Sequence, residues 1–142
     1  MSEIRPPSDA AMAVAASALR AQQARMRIIA ENIANADSTA PTPGADPYRK
    51  QTPVFSTKVL PGGMKGVAMT GVAVDQRPFN KQYDPGNPAA DADGFVKTPN
   101  VEPMIETLDM REAQRAYDAN ISVIETARAM DNSTLSLLKG GQ

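Results

Sequence analysis

The chain has 142 residues, a length that fits one ordinary domain, with a formal net charge of -1 and only 4% aromatic residues. It contains no Cys and no His, so disulfides, thiol nucleophiles, the commonest general base and the commonest zinc ligand are all missing. The near-neutral charge gives no reason to expect nucleic acid as a partner. This composition therefore argues against an enzyme, a cofactor site or a metal site.

An apolar segment near the N-terminus, residues 10–19, has the length of a signal-peptide core. However, Asp9 stands where a signal peptide carries basic residues, and the apolar pattern continues well beyond the segment. No apolar run reaches the roughly 18 residues that a transmembrane helix needs. We therefore expect neither a cleaved signal peptide nor direct insertion into a membrane.

Proline and glycine divide the chain into three parts. All 12 prolines lie at positions 6–7 or between 41 and 103, and all but two of the 9 glycines lie between 44 and 94. Because these residues interrupt helices, we predict an N-terminal helix within 1–38, a hairpin and proline-rich loop insert at 39–101, and a C-terminal helix within 102–142. The expected fold is mainly α, with the two long helices pairing as an antiparallel coiled coil.

The first helix should begin after the proline pair, with Ser8 or Asp9 as its N-cap. Its seam has an alternating spacing of three and four residues, interrupted by one polar side chain, and consists of Met12, Ala15, Leu19, Gln22, Met26, Ile29 and Ile33. The same pattern fits an amphipathic helix on its own core, but the unbroken heptad spacing favours a coiled coil. The short polar side chains of residues 35–39 should end the helix.

The last helix is the longest predicted element and spans residues 104–138 without Gly or Pro. Pro103 suits its first position. Its apolar face recurs every three or four residues and consists of Ala113, Tyr117, Ile121, Ile124, Ala127, Thr134 and Leu138. At about 1.5 Å per residue, the helix runs on the order of 50 Å. So short a chain cannot enclose it, and we expect it to need a partner helix and another molecule.

The alignment of the two helices can also be predicted. They enter and leave one small insert, so an antiparallel arrangement is the simplest. If residue 8 lies level with 138 and residue 36 with 110, Gln22 comes within about one turn of Asn120. Since single polar seam residues can fix register, we predict a polar contact between Gln22 and Asn120.

The insert should contain one hairpin, with strands at 52–60 and 67–74 joined by a turn at 61–63, although an extended irregular segment fits equally well. Gly71 would mark a weak point or a bulge in the second strand. A lone hairpin is marginal in water and must lean on the helices or on a neighbour. Residues 75–103 are expected to be a loop without secondary structure, a length that often indicates a functional surface.

One stretch of the loop resembles a fragment of a calcium-binding loop. Residues 91–94 read DADG, and Glu102 stands at the twelfth position counted from Asp91. However, Phe95 stands at the third ligand position, and Lys97 at the seventh position adds a positive charge. A pair of turns is therefore expected, because Asp and Gly favour them.

Three motifs resemble a known family. Residues 30–39 (AENIANADST) resemble the N-terminal signature of bacterial flagellar rod and hook proteins, and residues 112–120 (EAQRAYDAN) resemble their C-terminal signature. The stretch from Tyr83 through ADGFV at 92–96 to PNV at 99–101 is similar to proximal rod proteins of the FlgC kind. The resemblance extends from about residue 10 to 138, with its weakest part at 40–80.

The resemblance implies a structural subunit of the flagellar basal-body rod, with both terminal helices in a coiled-coil core around the export channel. It also implies export through the flagellar type III apparatus without cleavage, and a place in the periplasmic rod. The implied partners are other copies of the chain, other rod proteins, export-gate and membrane-ring components, and the rod-capping muramidase. The alternative is a soluble helical adaptor or export-chaperone-like binding protein.

Twelve residues are expected at contacts between subunits. Those on the first helix are Leu19, Met26, Ile29 and Ile33, joined by Asn32 and Asn35, for which capping of the helix end is an equal alternative. Those on the last helix are Tyr117, Asn120, Ile121, Ile124, Leu135 and Leu138. No catalytic, cofactor-binding or metal-binding residue is expected.

Overall fold

The computed structural model describes residues 7–141, in which two long helices flank two small antiparallel hairpins. The elements are α1 (Pro7–Ala34), β1 (Gln51–Val59), β2 (Lys65–Val74), β3 (Asn80–Tyr83), β4 (Phe95–Thr98) and α2 (Pro103–Gly140). The predicted mainly α fold with a small β insert is confirmed.

Helix α1 begins at Pro7, whose fixed φ and missing N–H suit a first helical position. Ser8 and Asp9, predicted as caps, therefore lie inside the first turn instead. The helix ends at Ala34, as predicted. There the Asn35 amide donates to the Glu31 carbonyl at 2.8 Å, and Asn35 Oδ1 accepts from the Ser38 hydroxyl at 3.2 Å.

Helix α2 has 38 residues and α1 has 28, so α2 is longer by roughly 15 Å. The two helices run antiparallel, because Arg25 pairs with Glu112 while Asn32, further along α1, meets the earlier residue Glu106. Buried alanines (Ala15, Ala21, Ala113 and Ala127) contribute much of the apolar interior of the two helices.

The alignment of the helices differs from the prediction. Ser8 shares a groove with Met130 rather than lying level with residue 138, a difference of about two turns. The Asn120 amide donates to the Ala116 carbonyl of its own helix at 2.8 Å. Within the described chain, Gln22 Oε1 has no hydrogen-bond partner. The predicted contact between Gln22 and Asn120 is therefore wrong.

The predicted hairpin is confirmed as β1 and β2, which pair antiparallel from Gln51 opposite Val74 to Val59 opposite Lys65. The register shifts where Val54 faces Gly71 and Phe55 faces Met69, so the strand bulges beside the predicted glycine. The hairpin packs on α1, where the Ser17 hydroxyl accepts the Val67 N–H at 3.2 Å.

A second hairpin corrects the prediction that residues 75–103 have no secondary structure. Strands β3 and β4 pair from Asn80 opposite Thr98 to Tyr83 opposite Phe95. The connection between them ends at Gly94, whose φ of +82° suits glycine. Gly94 lies against the ring of Tyr83, which packs edge-to-face with Phe95. These strands are four residues each, too short to show a clear alternation of apolar and polar residues.

Candidate assembly surface and polar junction

The helix pair leaves many large apolar side chains exposed. Along α2 the exposed set includes Leu137 at 78% and Leu138 at 71% of their full area. The other members on α2 are Met104, Ile105, Leu108, Val123, Met130 and Leu135, and those on α1 are Val14 and Ile33. We call these residues the exposed apolar surface. Exposed apolar surface can mark contact sites between proteins.

The start of α1 and the second half of α2 form an apolar groove. It is lined by Pro7, Ser8, Ala11, Val123, Ala127 and Met130, and continues to Thr134 and Leu135. The small side chains on α1 leave this space open beside the larger ones on α2. The predicted contact residues do not include Val14, Val123 and Met130, because they lie outside the apolar stripes that were read from the sequence.

The hairpin formed by β1 and β2 adds a second apolar area. Val54, Phe55, Val59, Val72 and Val74 are all exposed on it. Since this sheet has two strands within residues 7–141, each strand has an open edge in that part of the chain, where unpaired backbone groups can meet another chain.

The structure separates the twelve predicted contact residues by burial. Ile33, Leu135 and Leu138 are exposed, whereas Ile29 and Asn32 are buried inside the chain. The other seven are half-buried, namely Leu19, Met26, Asn35, Tyr117, Asn120, Ile121 and Ile124. Ile29 lines a cleft that also includes Phe55 of β1 and Glu106 of α2.

Asn32 is the centre of a buried polar cluster. Its Oδ1 accepts hydrogen bonds from the Tyr48 hydroxyl at 2.8 Å and from the Gln51 N–H at 2.9 Å. Its Nδ2 donates to the Gln51 carbonyl at 2.8 Å and to Glu106 Oε2 at 3.0 Å. These four bonds use the full capacity of a side-chain amide. Although the sequence predicts Asn32 at a subunit contact, the structure gives its amide four partners within the chain.

Glu106 brings a buried charge into the cluster. Its side chain is 1% exposed, and its Oε1 lies 2.5 Å from the Lys50 ammonium. The contact lacks the directed geometry of a hydrogen bond, so we describe it as an ion pair. Because a buried carboxylate is stable in a protein when it is paired and hydrogen-bonded, Lys50 and Asn32 together account for the position of Glu106.

Asn100 extends the cluster to the second hairpin. Its Oδ1 accepts the Lys50 N–H at 2.8 Å, and its Nδ2 donates to the carbonyls of Asp75 at 3.2 Å and Arg77 at 3.1 Å. We call Asn32, Tyr48, Lys50, Asn100 and Glu106 the polar junction. It joins the end of α1, the entry to β1, the segment after β2 and the start of α2.

The pKa values of Tyr48 and Asp75 are shifted by their surroundings in this region. Burial raises the pKa of the Tyr48 phenol above its ordinary value of 10.0, and the carboxylates of Glu31 and Glu106 add to the effect. The Arg77 backbone N–H, donating to Asp75, lowers the pKa of that carboxyl below its usual 3.8. The environment therefore favours neutral Tyr48 and ionised Asp75 at neutral pH.

The sequence did not identify Lys50, Asn100 and Glu106 as a unit. Glu106 lies in the first turn of α2, where a carboxylate is ordinarily a partner of the helix dipole. A charged residue close to an apolar stripe carries no sequence signal that distinguishes burial from exposure. The available signal was the Asn pair at 32 and 100, since short amides beside element ends often bond to backbone.

Neither helix in residues 7–141 combines the length and the apolar character that a bilayer crossing requires. Over the same residues, the acidic side chains form no group of three or more that could hold a metal ion.

Two family models match the ends of the chain. Residues 12–41 match the family described as "Flagella basal body rod protein". Residues 92–137 match the family described as "Flagellar basal body rod FlgEFG protein C-terminal". The matched regions include most of α1 and most of α2, together with Asn32, Asn100 and Glu106 of the polar junction.

Curated relatives match over nearly the full chain. The chain is 50% identical over 137 residues to a protein named flagellar basal-body rod protein FlgC from Agrobacterium fabrum, covering 96% of this chain and 99% of the relative. It is 43% identical to the protein of the same name from Salmonella typhimurium, covering 87% of this chain and 92% of the relative. The protein of that name from Borreliella burgdorferi is 37% identical, with 89% of this chain and 95% of the relative covered. The chain therefore belongs to the FlgC family of flagellar basal-body rod proteins, and it is a structural subunit of that rod.

Proposed function

We propose that this subunit belongs to the proximal part of the rod and assembles, with other copies and other rod proteins, into a tubular drive shaft around the export channel. The observation that carries the proposal is the exposed apolar surface along α2 and α1. A monomer would leave Leu137, Leu138 and Met104 in water. Repeated contacts between neighbouring subunits would bury them, and a repeated heterologous contact builds a helical tube.

The predicted contact residues divide into three roles. We propose that Leu19, Met26, Ile33, Tyr117, Ile121, Ile124, Leu135 and Leu138 contact neighbouring subunits, since each keeps at least part of its surface exposed. Ile29 and Asn32 support the surface from inside the chain. Asn35 and Asn120 hold their own helices through bonds to main-chain carbonyls.

The three segments of the chain would serve different parts of the assembly. Residues 1–38 and 102–142 form the coiled-coil core of the rod wall, and residues 39–101 face outward or contact neighbouring subunits. The packing of the first hairpin on α1 supports this division. In this arrangement the polar junction transmits the position of the helices to the insert.

Further partners follow from a place at the base of the rod. These are the export-gate and membrane-ring components and the rod-capping muramidase. The subunit would reach the periplasmic rod unfolded, through the flagellar type III apparatus and without cleavage. Its role would be structural rather than catalytic, which fits a chain without His or Cys.

Basal bodies extracted with detergent test this proposal directly. The full-length chain should co-purify with them and stay with the rod after the outer rings are stripped. A Leu135→Glu variant should be absent from the rod, while the matched Ser136→Glu variant, one position along the same exposed turn, should be retained. If the chain is absent from basal bodies and a deletion strain swims normally, the adaptor alternative replaces this proposal.

A further inference from the structure

We propose that Asn32, Lys50 and Glu106 set the alignment of α1 against α2, so that they are the positioning residues of the helix pair. The need for such residues follows from the repetitive seam. Positions 12, 19, 26 and 33 of α1 are all apolar and lie one heptad apart, whereas the alanines at 113 and 127 of α2 lie two heptads apart with Asn120 between them. Along α1, a shift by one heptad therefore places one apolar seam residue where another stood, and the packing of this seam alone discriminates poorly between alignments.

The polar junction discriminates strongly between alignments of α1 and α2. A shift by one heptad would move Glu106 by roughly 10 Å along the axis of α2, beyond reach of Asn32. The Glu106 carboxylate and the Lys50 ammonium would then be separated, although both are largely buried in the observed alignment. An unpaired buried charge is costly, which makes the shifted alignments unfavourable.

Asn32 links the alignment of the helices to the position of the insert. Two of its four bonds go to the backbone of Gln51 at the first position of β1. The helix alignment and the position of the hairpin are therefore fixed by the same amide. A shifted helix would have to break the bond to Glu106 or pull Asn32 away from the strand.

The other polar contacts between the helices are weaker candidates. The ion pair of Arg25 and Glu112 spans 3.6 Å with Glu112 70% exposed. Gln23 Nε2 lies 3.5 Å from the Tyr117 hydroxyl in an exposed position. Exposed pairs of this kind contribute little, which leaves the polar junction as the main determinant of alignment.

Cysteine crosslinking of the full-length chain tests the proposal, and the chain contains no native Cys to interfere. The pair Arg25→Cys and Glu112→Cys reports the observed alignment, because these side chains meet. The pairs Arg25→Cys with Ala119→Cys and Arg25→Cys with Ile105→Cys report a shift of one heptad in either direction. Each pair is treated with a short thiol-specific crosslinker, in the purified chain and in basal bodies.

The decisive variant is Asn32→Leu/Lys50→Met/Glu106→Leu, which removes the three side chains together and leaves no partner charge behind. Relative to the chain with an intact junction, the shifted pairs should rise by about tenfold, since apolar replacements of a buried ion pair preserve folding while specificity falls. No rise in the shifted pairs would overturn the proposal. Loss of helix without any crosslink would also overturn it, because that result reports stability and not alignment.

Two further variants make the result specific. Gln22→Leu/Asn120→Leu removes two polar side chains from the same helices but outside the junction, and it should show the observed alignment alone. Lys50→Met/Glu106→Gln keeps an acceptor for the Asn32 amide but removes both charges, so the shifted pairs should rise by clearly less than in the triple variant. A rise of the shifted pairs in either variant as large as that in the triple variant would overturn the assignment to these residues.

Discussion

The Asn32 amide donates to Glu106 Oε2 across 3.0 Å, although the two residues are 74 positions apart in the sequence. The bond lies where α1 ends and α2 begins, so it connects the two sides of the insert. Tyr48 and Lys50 reach the same point from the chain that leads into β1. The helices and the insert therefore share one buried polar centre, and a change there should affect all three segments.

The first prediction concerns the stability that this centre provides. Glu106→Ala should lower the free energy of unfolding by about 3 kcal/mol, because it leaves the Lys50 ammonium and one Asn32 donor buried without a partner. Denaturant unfolding of the full-length chain, followed by circular dichroism, measures the change. Glu112→Ala is the matched control on the same helix, and it should cost less than about 1 kcal/mol since its pair with Arg25 is exposed. Equal losses in the two variants would contradict a special role for Glu106.

The second prediction concerns the docking of the first hairpin on α1. A Cβ at Gly66 would lie 2.6 Å from Ser17 Oγ and 2.8 Å from Leu60 Cδ1. Gly66→Ala should therefore lower the free energy of unfolding by about 1–3 kcal/mol, as overpacking typically does. It should also expose the Val67 N–H, which now donates to the Ser17 hydroxyl. Hydrogen exchange at Val67 measures this local opening. Gly71→Ala is the control in the same strand, where no atom lies within 4 Å of the added Cβ; comparable loss of protection there would argue against the close approach as the cause.

The third prediction concerns the pH dependence at Tyr48. Its pKa is raised above 10.0, first by burial and then by the nearby Glu31 and Glu106 carboxylates. The contribution of this group to stability is therefore complete below pH 10 and is lost as the pH rises through the folded-state pKa. Near-ultraviolet absorbance during alkaline titration should show one tyrosine that ionises late, and this late component should disappear in Tyr48→Phe. A late component that persists in Tyr48→Phe would assign it to another tyrosine.

The sequence was sufficient to predict the helices and the first hairpin, because their signals are local. Twelve prolines confined to the start and the middle of the chain define the helix bounds. Gly71 marked the bulge because glycine in a strand has few other roles. The second hairpin was missed for the opposite reason. The β3 sequence, NKQY, is wholly exposed and has neither a buried face nor β-branched residues.

The alignment of the helices and the polar junction could not be read from the sequence. A heptad pattern looks the same after a shift of seven residues, so it predicted that the helices pair but not which residues meet. A polar contact between Gln22 and Asn120 was predicted because both residues interrupt apolar stripes. The residues that do meet, Lys50 and Glu106, lie outside those stripes, and their burial depends on the insert folding back against both helices.

The fourth prediction separates assembly from folding. Leu138→Glu should leave the free energy of unfolding of the monomer within about 0.5 kcal/mol, because Leu138 is 71% exposed and changes at such sites have small effects. The same variant should stop incorporation into rods and abolish motility when it replaces the native copy, since it would place a charge in the proposed contact between subunits. Ile124→Asp, at a half-buried position of the same helix, should also prevent assembly.

Ile29→Asp provides the contrast that makes this prediction specific. Ile29 is 4% exposed, so a carboxylate there would be buried inside the chain and should destabilise the monomer itself by several kcal/mol. Both variants should therefore lose motility, but only Leu138→Glu should give a monomer with unchanged helix content and unfolding free energy. Normal swimming with Leu138→Glu would show that the end of α2 lies outside the contacts between subunits, and the exposed apolar surface would then have to be assigned to another partner.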